Sequence, residues 1–243
     1  MSFWCRWTQK HTNKMKKLFS LGALLMLALC AGFICSCNGD VTENKDTHEY
    51  VDLGLPSGTL WATCNVGASS PEEYGDYFAW GETQPKTSYS WSTYKHFKSP
   101  EEIIKKYCTS NDEGIVDDKT ELEPSDDAAT VNWGSEWQMP SIEQYNELIN
   151  NSYTTWTWTT MNGVKGRKIT SKSNGNSIFL PAAGERGGTS LGFAGNYGIY
   201  WSRSLNTSYS YYAYVQDFSS GYISTSSDYR YFGQSVRPVR VKN

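Results

Sequence analysis

Asn162-Gly163 is the dipeptide that most narrows what this chain can fold into. An Asn-Gly pair suits the two-residue turn in which both central residues take positive φ, and that turn matches the twist of antiparallel strands. Residues 155–161 and 164–171 flank it and are rich in Thr, Trp, Val and Ile, so a hairpin is expected there. Asn174-Gly175 then turns the chain into residues 176–181, which makes a three-strand meander. Just upstream, Ser141 and Gln144 have the spacing of a capping box, and Ile142, Tyr145, Leu148 and Ile149 share one face of a helix.

The same reasoning places strands at residues 50–53 and 59–66 around Pro56-Ser57-Gly58, and an aromatic strand at 74–82 between glycines. A strand at 199–202 precedes a hairpin of residues 212–218 with 222–226, and the last strand, 235–241, is expected to bulge at Arg237-Pro238. Ser99-Pro100-Glu101-Glu102 reads as a capping box for a helix to about Tyr107, with Ile103, Ile104 and Tyr107 inward. A further N-terminus is expected at Ser125-Asp126-Asp127. Residues 83–98, polar and aromatic with no clear period, read as a long surface loop and 109–123 as an acidic one. Trp61, Trp80, Trp133, Trp137, Trp156, Trp158 and Trp201 are expected to supply most of the core volume. Residues 48–243 read as one domain.

The first 47 residues follow another plan. Lys14, Lys16 and Lys17 precede an apolar run over residues 18–34 that ends in Cys35-Ser36-Cys37, as in a secretory signal. Ile34-Cys35-Ser36-Cys37 resembles a bacterial lipobox, in which the last cysteine is acylated. Residues 1–36 therefore read as a signal peptide, with Met15 as an alternative start that makes 1–14 an upstream artefact. Residues 37–47 read as the lipidated Cys37 and a flexible tether of about 35 Å reach. The expected location is the cell envelope, on an outer membrane. Without residues 1–36 the chain holds 17 basic and 25 acidic residues, a net charge of −8. That balance argues against a nucleic-acid partner, whose footprint is basic. Cys64 and Cys108 are the only cysteines beyond Cys37, and an even pair in an exported chain is a disulfide candidate; two free thiols are the alternative.

Little in the chain points to catalysis. His48 and His96 lie near no nucleophile motif and are expected at the surface, and with Cys64 and Cys108 they lack zinc spacing. Asp112, Asp117 and Asp118 match no calcium loop. The adjacent pairs Glu72-Glu73 and Asp126-Asp127 point apart on a helix or strand, with Asp126 expected to serve the cap. No cofactor is implied. What remains is the stretch from Tyr197 to Tyr231, which holds nine of the 17 tyrosines, nine serines and only two basic residues. Tyr offers rigid contact area and Ser adaptable hydrogen bonds, the pairing that paratopes use. The candidate ligand-binding residues are Arg203, Tyr209, Tyr211, Tyr212, Tyr222, Tyr229, Arg230 and Tyr231, for a glycan or a protein.

Several segments together resemble the Fibrobacter succinogenes major paralogous domain. They are Tyr50-Val51-Asp52-Leu53-Gly54-Leu55, the run from Trp61 to Ala68, Tyr77-Phe78-Ala79-Trp80-Gly81-Glu82 and Trp137-Gln138-Met139-Pro140-Ser141. The run from Ile178 to Gly184, Tyr200-Trp201-Ser202 and Ser235-Val236-Arg237-Pro238-Val239 complete the set, in order. The resemblance implies an exported lipoprotein of the kind found in Bacteroidota. It also implies an α+β, C-type-lectin-like fold with twisted antiparallel sheets, two main helices and long loops; it brings no established activity. The related formylglycine-generating enzymes need late cysteines, and none follows Cys108 here. Residues 203–231 are also similar to the hypervariable part of retroelement-diversified receptors. The expectation is therefore a lipid-anchored, non-catalytic binding protein. A diversified receptor, an accessory or tip subunit of a surface assembly, and an enzyme of unknown reaction are the alternatives.

Overall fold

The structure, a computed structural model, describes residues 48–241. The signal peptide, the lipidation of Cys37 and the tether expected for residues 1–47 lie outside the described residues. From the N-terminus, β1 (Tyr50–Asp52) and β2 (Thr59–Ala62) pair across a turn closed by Gly58 N–H on Leu55 O at 2.9 Å. A long irregular stretch then carries the short pair β3 (Phe97–Lys98) and β4 (Ile103–Ile104). Two helices follow, α1 (Ala128–Trp133) and α2 (Ile142–Ile149). The meander is β5 (Thr154–Met161), β6 (Val164–Ser171) and β7 (Ser177–Pro181). A small ribbon, β8 (Glu185–Gly187) with β9 (Ser190–Gly192), leads into β10 (Gly198–Leu205), β11 (Tyr212–Phe218) and β12 (Ile223–Tyr229). The last strand, β13 (Val239–Val241), returns to pair with β2.

These strands form three three-stranded sheets, β1-β2-β13, β5-β6-β7 and β10-β11-β12, and every strand pair runs antiparallel. Turn chemistry explains much of this. Asn162 and Gly163 have φ of 48° and 87°, as a two-residue turn between β5 and β6 requires. Ser141 accepts from Gln144 N–H at 3.3 Å while Gln144 Oε1 accepts from Ser141 N–H at 2.8 Å, so the expected capping box starts α2.

Strand alternation sets the core. Successive side chains of a strand point to opposite faces. Tyr200 and Phe218 therefore pack with Trp61, Tyr145 of α2 and Ile169 of the meander. Trp201, Ala213 and Val215 pack on the other face with Phe78, Trp80 and Val236. The β10–β12 sheet is thus buried on both sides at its β10–β11 end. Trp61, Trp80, Trp137 and Trp201 are fully buried. Trp133, Trp156 and Trp158 only flank the core clusters.

Several sequence expectations need correction. No helix forms over 99–107: Glu102 and Tyr107 have φ of 57° and 59°, and Ile104 instead bonds to Glu113 and Ile115. Residues 74–82 form no regular strand. They run extended against residues 230–234 through Phe78 and Trp80, and Tyr77, Phe78, Ala79 and Trp80 are all buried. The cap of α1 is Asp127, which accepts from Thr130 N–H at 3.0 Å, while Asp126 is buried among Lys95, Lys106 and Tyr107. His96 is buried, with Nε2 3.1 Å from Gly81 O. The two thiols are free: Cys64 lies 3.5 Å from the Thr63 hydroxyl, and buried Cys108 donates to Ser110 O at 3.2 Å. Each sits on its own local partner, so the disulfide expected of Cys64 and Cys108 is absent.

Two buried arginines fasten these parts together. Arg237 donates to Asn65 Oδ1 at 2.8 Å, to the carbonyls of Ala62 and Thr63 at 3.0 and 2.6 Å, and to Phe179 O of β7 at 3.0 Å. Arg230 donates to the Tyr94 hydroxyl at 2.9 Å and to the carbonyls of Tyr107, Ser210 and Lys106 at 3.1, 2.8 and 2.9 Å. Its guanidinium also lies 4.7 Å from the Trp80 ring centre, a cation–π distance. Arg237→Met would keep the volume but strip four acceptors, three of them in fully buried bonds, of their donor. We expect it to cost about 3 kcal/mol or more in equilibrium urea unfolding, since each stranded buried group costs roughly 1–3 kcal/mol. A loss below about 1 kcal/mol would show that water replaces the guanidinium without difficulty.

Candidate functional site

Ladder register decides which tyrosines meet. Tyr212 of β11 lies opposite Tyr229 of β12, and their rings stack at 4.3 Å between centroids. Tyr229 stacks on Tyr231 at 5.6 Å, and Tyr231 packs on Phe232 at 4.5 Å. From a distant part of the chain comes Trp91, in a 3-10 turn over Trp91–Thr93. Its ring centre is 4.9 Å from Tyr231, 5.5 Å from Tyr211 and 5.9 Å from Tyr229, each edge to face. Phe97 of β3 backs Trp91 at 4.7 Å. Tyr209 completes the row at 6.5 Å from Tyr212, with 62% of its surface exposed. The result is a continuous aromatic shelf whose outer members are Tyr209 and Tyr229.

Of the residues singled out in the sequence, Tyr209, Tyr211, Tyr212, Tyr229 and Tyr231 come together here. Tyr211 is partly spent on structure, because its hydroxyl donates to Glu102 O at 2.9 Å. Three do not belong. Tyr222 lies beyond the opposite end of the β11–β12 pair, where Phe218 faces Ile223. There it neighbours Tyr197 at 6.3 Å and donates to Asp217 at 3.2 Å. Arg203 pairs through Nε with Glu121 at 2.9 Å and is also held by Gln138. Arg230, expected as a charged anchor on the surface, is fully buried because backbone carbonyls of Lys106, Tyr107 and Ser210 surround it.

Trp91 and Phe97 were missed in a stretch that reads as a surface loop. The available signal was the three-residue spacing of Trp91, Tyr94 and Phe97. Tyr94 is the buried member, donating to Trp80 O at 2.6 Å, and the other two are left half-buried on the shelf.

The shelf has an acidic floor. Asp228 pairs with Ala213 in the ladder and so points inward, where it accepts from Gln234 Nε2 at 2.7 Å and from Tyr229 N–H at 2.8 Å. Glu185 of β8 shares a hydrogen bond with it. Burial, together with the charge of Asp228, pushes Glu185 up to about 7. Burial raises Asp228 as well. The hydrogen bond to Tyr229, with burial, pushes Tyr212 up to about 12.

The polar groups of the shelf are the phenols of its tyrosines and the indole N–H of Trp91. His96 is held down to about 4 by burial. Among the described residues no group of three or more His, Cys, Asp or Glu is placed to hold a metal ion. Asp117, of the calcium candidates, accepts from the backbone N–H groups of Tyr107, Cys108 and Lys119. Compared with known proteins, the chain matches no family model, no curated sequence and no solved structure.

The acid pair has a measurable consequence. A carboxyl raised from 4.5 to about 7 binds a proton that the unfolded chain has released, so its contribution to stability is lost as pH rises through that window. His96, depressed from 6.5 to about 4, acts in the opposite sense. The comparison is therefore between variants. Relative to the parent chain, Glu185→Gln should gain stability progressively between about pH 4.5 and pH 7 in thermal unfolding. A constant difference across that range would mean that Glu185 titrates normally.

Proposed function

We propose that this chain is a lipid-anchored binding protein of the cell envelope, without catalysis, that takes its ligand on the aromatic shelf. The observation that carries this reading is the shelf itself, from Trp91 through Tyr231, Tyr229 and Tyr212 to Tyr209. Rigid aromatics lose little entropy on contact, and clusters of them left open to solvent mark contact sites. Fixed hydrogen bonds behind the shelf, at Tyr94 and Arg230, preorganise it and lower the cost of binding.

The same proposal takes the fold to be C-type-lectin-like and the chain to be a Fibrobacter succinogenes major paralogous domain. This placement draws support from where the resembling residues lie. Trp61, Trp80, Trp137 and Trp201 are the largest fully buried aromatics, and Arg237, in the last resembling segment, donates to the carbonyls of Ala62 and Thr63 in the second. Antiparallel sheets with two helices agree with that family's architecture at the coarse level.

The test is to screen the soluble domain against arrays of glycans and of envelope proteins, then to repeat it with Tyr209→Ala/Tyr229→Ala. Tyr209 is the most exposed ring, whereas Tyr229 also packs on Tyr212, Tyr231 and Trp91, so melting temperature should fall by several degrees with the circular-dichroism spectrum unchanged. Ligand retention should fall at least tenfold. Retention unchanged in the double variant would move the site elsewhere. For the anchor, a palmitate analogue fed to expressing cells should label the full chain but not Cys37→Ala; equal labelling would refute lipidation at Cys37.

A further inference from the structure

The outer edge of β5 is open. Edge strands template pairing with other chains unless charge, proline or a bulge blunts them. Thr154–Met161 contains no charged residue and no proline, and it pairs with β6 in unbroken register along its whole length. Among the described residues, the backbone of 155–161 makes no backbone hydrogen bond beyond β6; one of its carbonyls, Trp156 O, accepts from Arg167 Nη1 of β6 at 3.2 Å. Thr155 and Thr157 are exposed, while Trp156 and Trp158 turn inward to Phe218 at 5.8 and 6.5 Å.

The order of residues on this edge is symmetric. Thr154-Thr155-Trp156-Thr157-Trp158-Thr159-Thr160 reads the same in both directions about Thr157. An antiparallel strand runs in the reverse direction, so a second copy laid on this edge with Thr157 on the axis meets itself residue for residue. Thr157 faces Thr157, Trp156 faces Trp158, Thr155 faces Thr159 and Thr154 faces Thr160. Every cross-strand pair is then Thr–Thr or Trp–Trp, combinations that stabilise a ladder. No like charges oppose one another on the paired strands. Lys168, opposite Thr157 on β6, would lie three strands from its counterpart, about 14 Å away and beyond the screening length at physiological salt. The other long edge, β12, carries Asp228 and has no such symmetry.

We propose that the partner of this edge is a second copy of the chain, joined β5 to β5 across a two-fold axis into one six-stranded sheet. A two-fold contact requires the same patch on both subunits to be self-complementary, and this segment is.

The test uses the full chain in mild detergent under copper-catalysed oxidation, read on non-reducing gels against the parent chain treated alike. Thr157→Cys should form a disulfide dimer, because residues facing each other in a ladder lie about 5 Å apart. Thr155→Cys alone should not exceed the parent, since its copies would be about 14 Å apart and disulfides reach about 7 Å. Mixing Thr155→Cys with Thr159→Cys should restore the dimer. Thr157→Lys should render the chain monomeric in sedimentation at a concentration where the parent dimerises, with an unchanged circular-dichroism spectrum. The proposal is overturned if the parent stays monomeric up to about 100 μM. Cross-linking of Thr155→Cys alone as readily as Thr157→Cys, or an edge occupied by a different protein, would also overturn it.

Discussion

The guanidinium of Arg237 is the interaction on which the architecture turns. One rigid, planar cation with fixed donor directions is surrounded by oxygens from the end of β2 and Asn65 just after it, and from β7 far along the chain. A cation removed from water is costly unless its donors are satisfied. Folding therefore has to bring all of those oxygens to it at once, or none. Burial depresses the Arg237 pKa, the expected sign for a charge held without a neighbouring carboxylate. Arg230 repeats the arrangement beneath the aromatic shelf, a second buried positive charge dressed in carbonyls.

That choice suits a chain with many short strands and long connections. Residues 63–96 and 105–123 contain almost no regular structure, and their backbone polar groups must still be paired. Side chains do much of that work. Asp117 accepts from three backbone N–H groups, Ser171 bonds Leu53 O, and the Tyr77, Tyr89 and Tyr94 hydroxyls each close on a buried carbonyl. The tyrosines of this protein thus serve two ends. Some are interior donors that spare irregular backbone from desolvation, and others form the surface.

How much of this could be read in the sequence follows from the range of the forces involved. The capping box of α2 and the turn at Asn162-Gly163 rest on residues within four positions of each other, and both were legible. The supposed helix over 99–107 had the local signals too, but Tyr107 is claimed by a core that includes Trp80 and Leu122, and Ile104 by backbone pairing with Glu113 and Ile115. Arg230 looked like a surface residue among Tyr and Ser because its carbonyl cage comes partly from Lys106 and Tyr107, more than a hundred positions away. The shelf was half legible for the same reason: its β11 and β12 members are local, whereas Trp91 and Phe97 arrive through tertiary contact. Tyr222 was misplaced because composition counts residues and ignores which end of a hairpin they occupy.

The position of Arg230 has one more consequence. It is a pinned residue directly between two ring-bearing neighbours, Tyr229 and Tyr231, and it holds their backbone through four bonds to the interior. The path of the chain at the surface is therefore dictated from below, not by the rings themselves. Side chains on either side of such a peg can be exchanged over evolutionary time without the scaffold losing its course. Surface chemistry can drift there while the fold stands still.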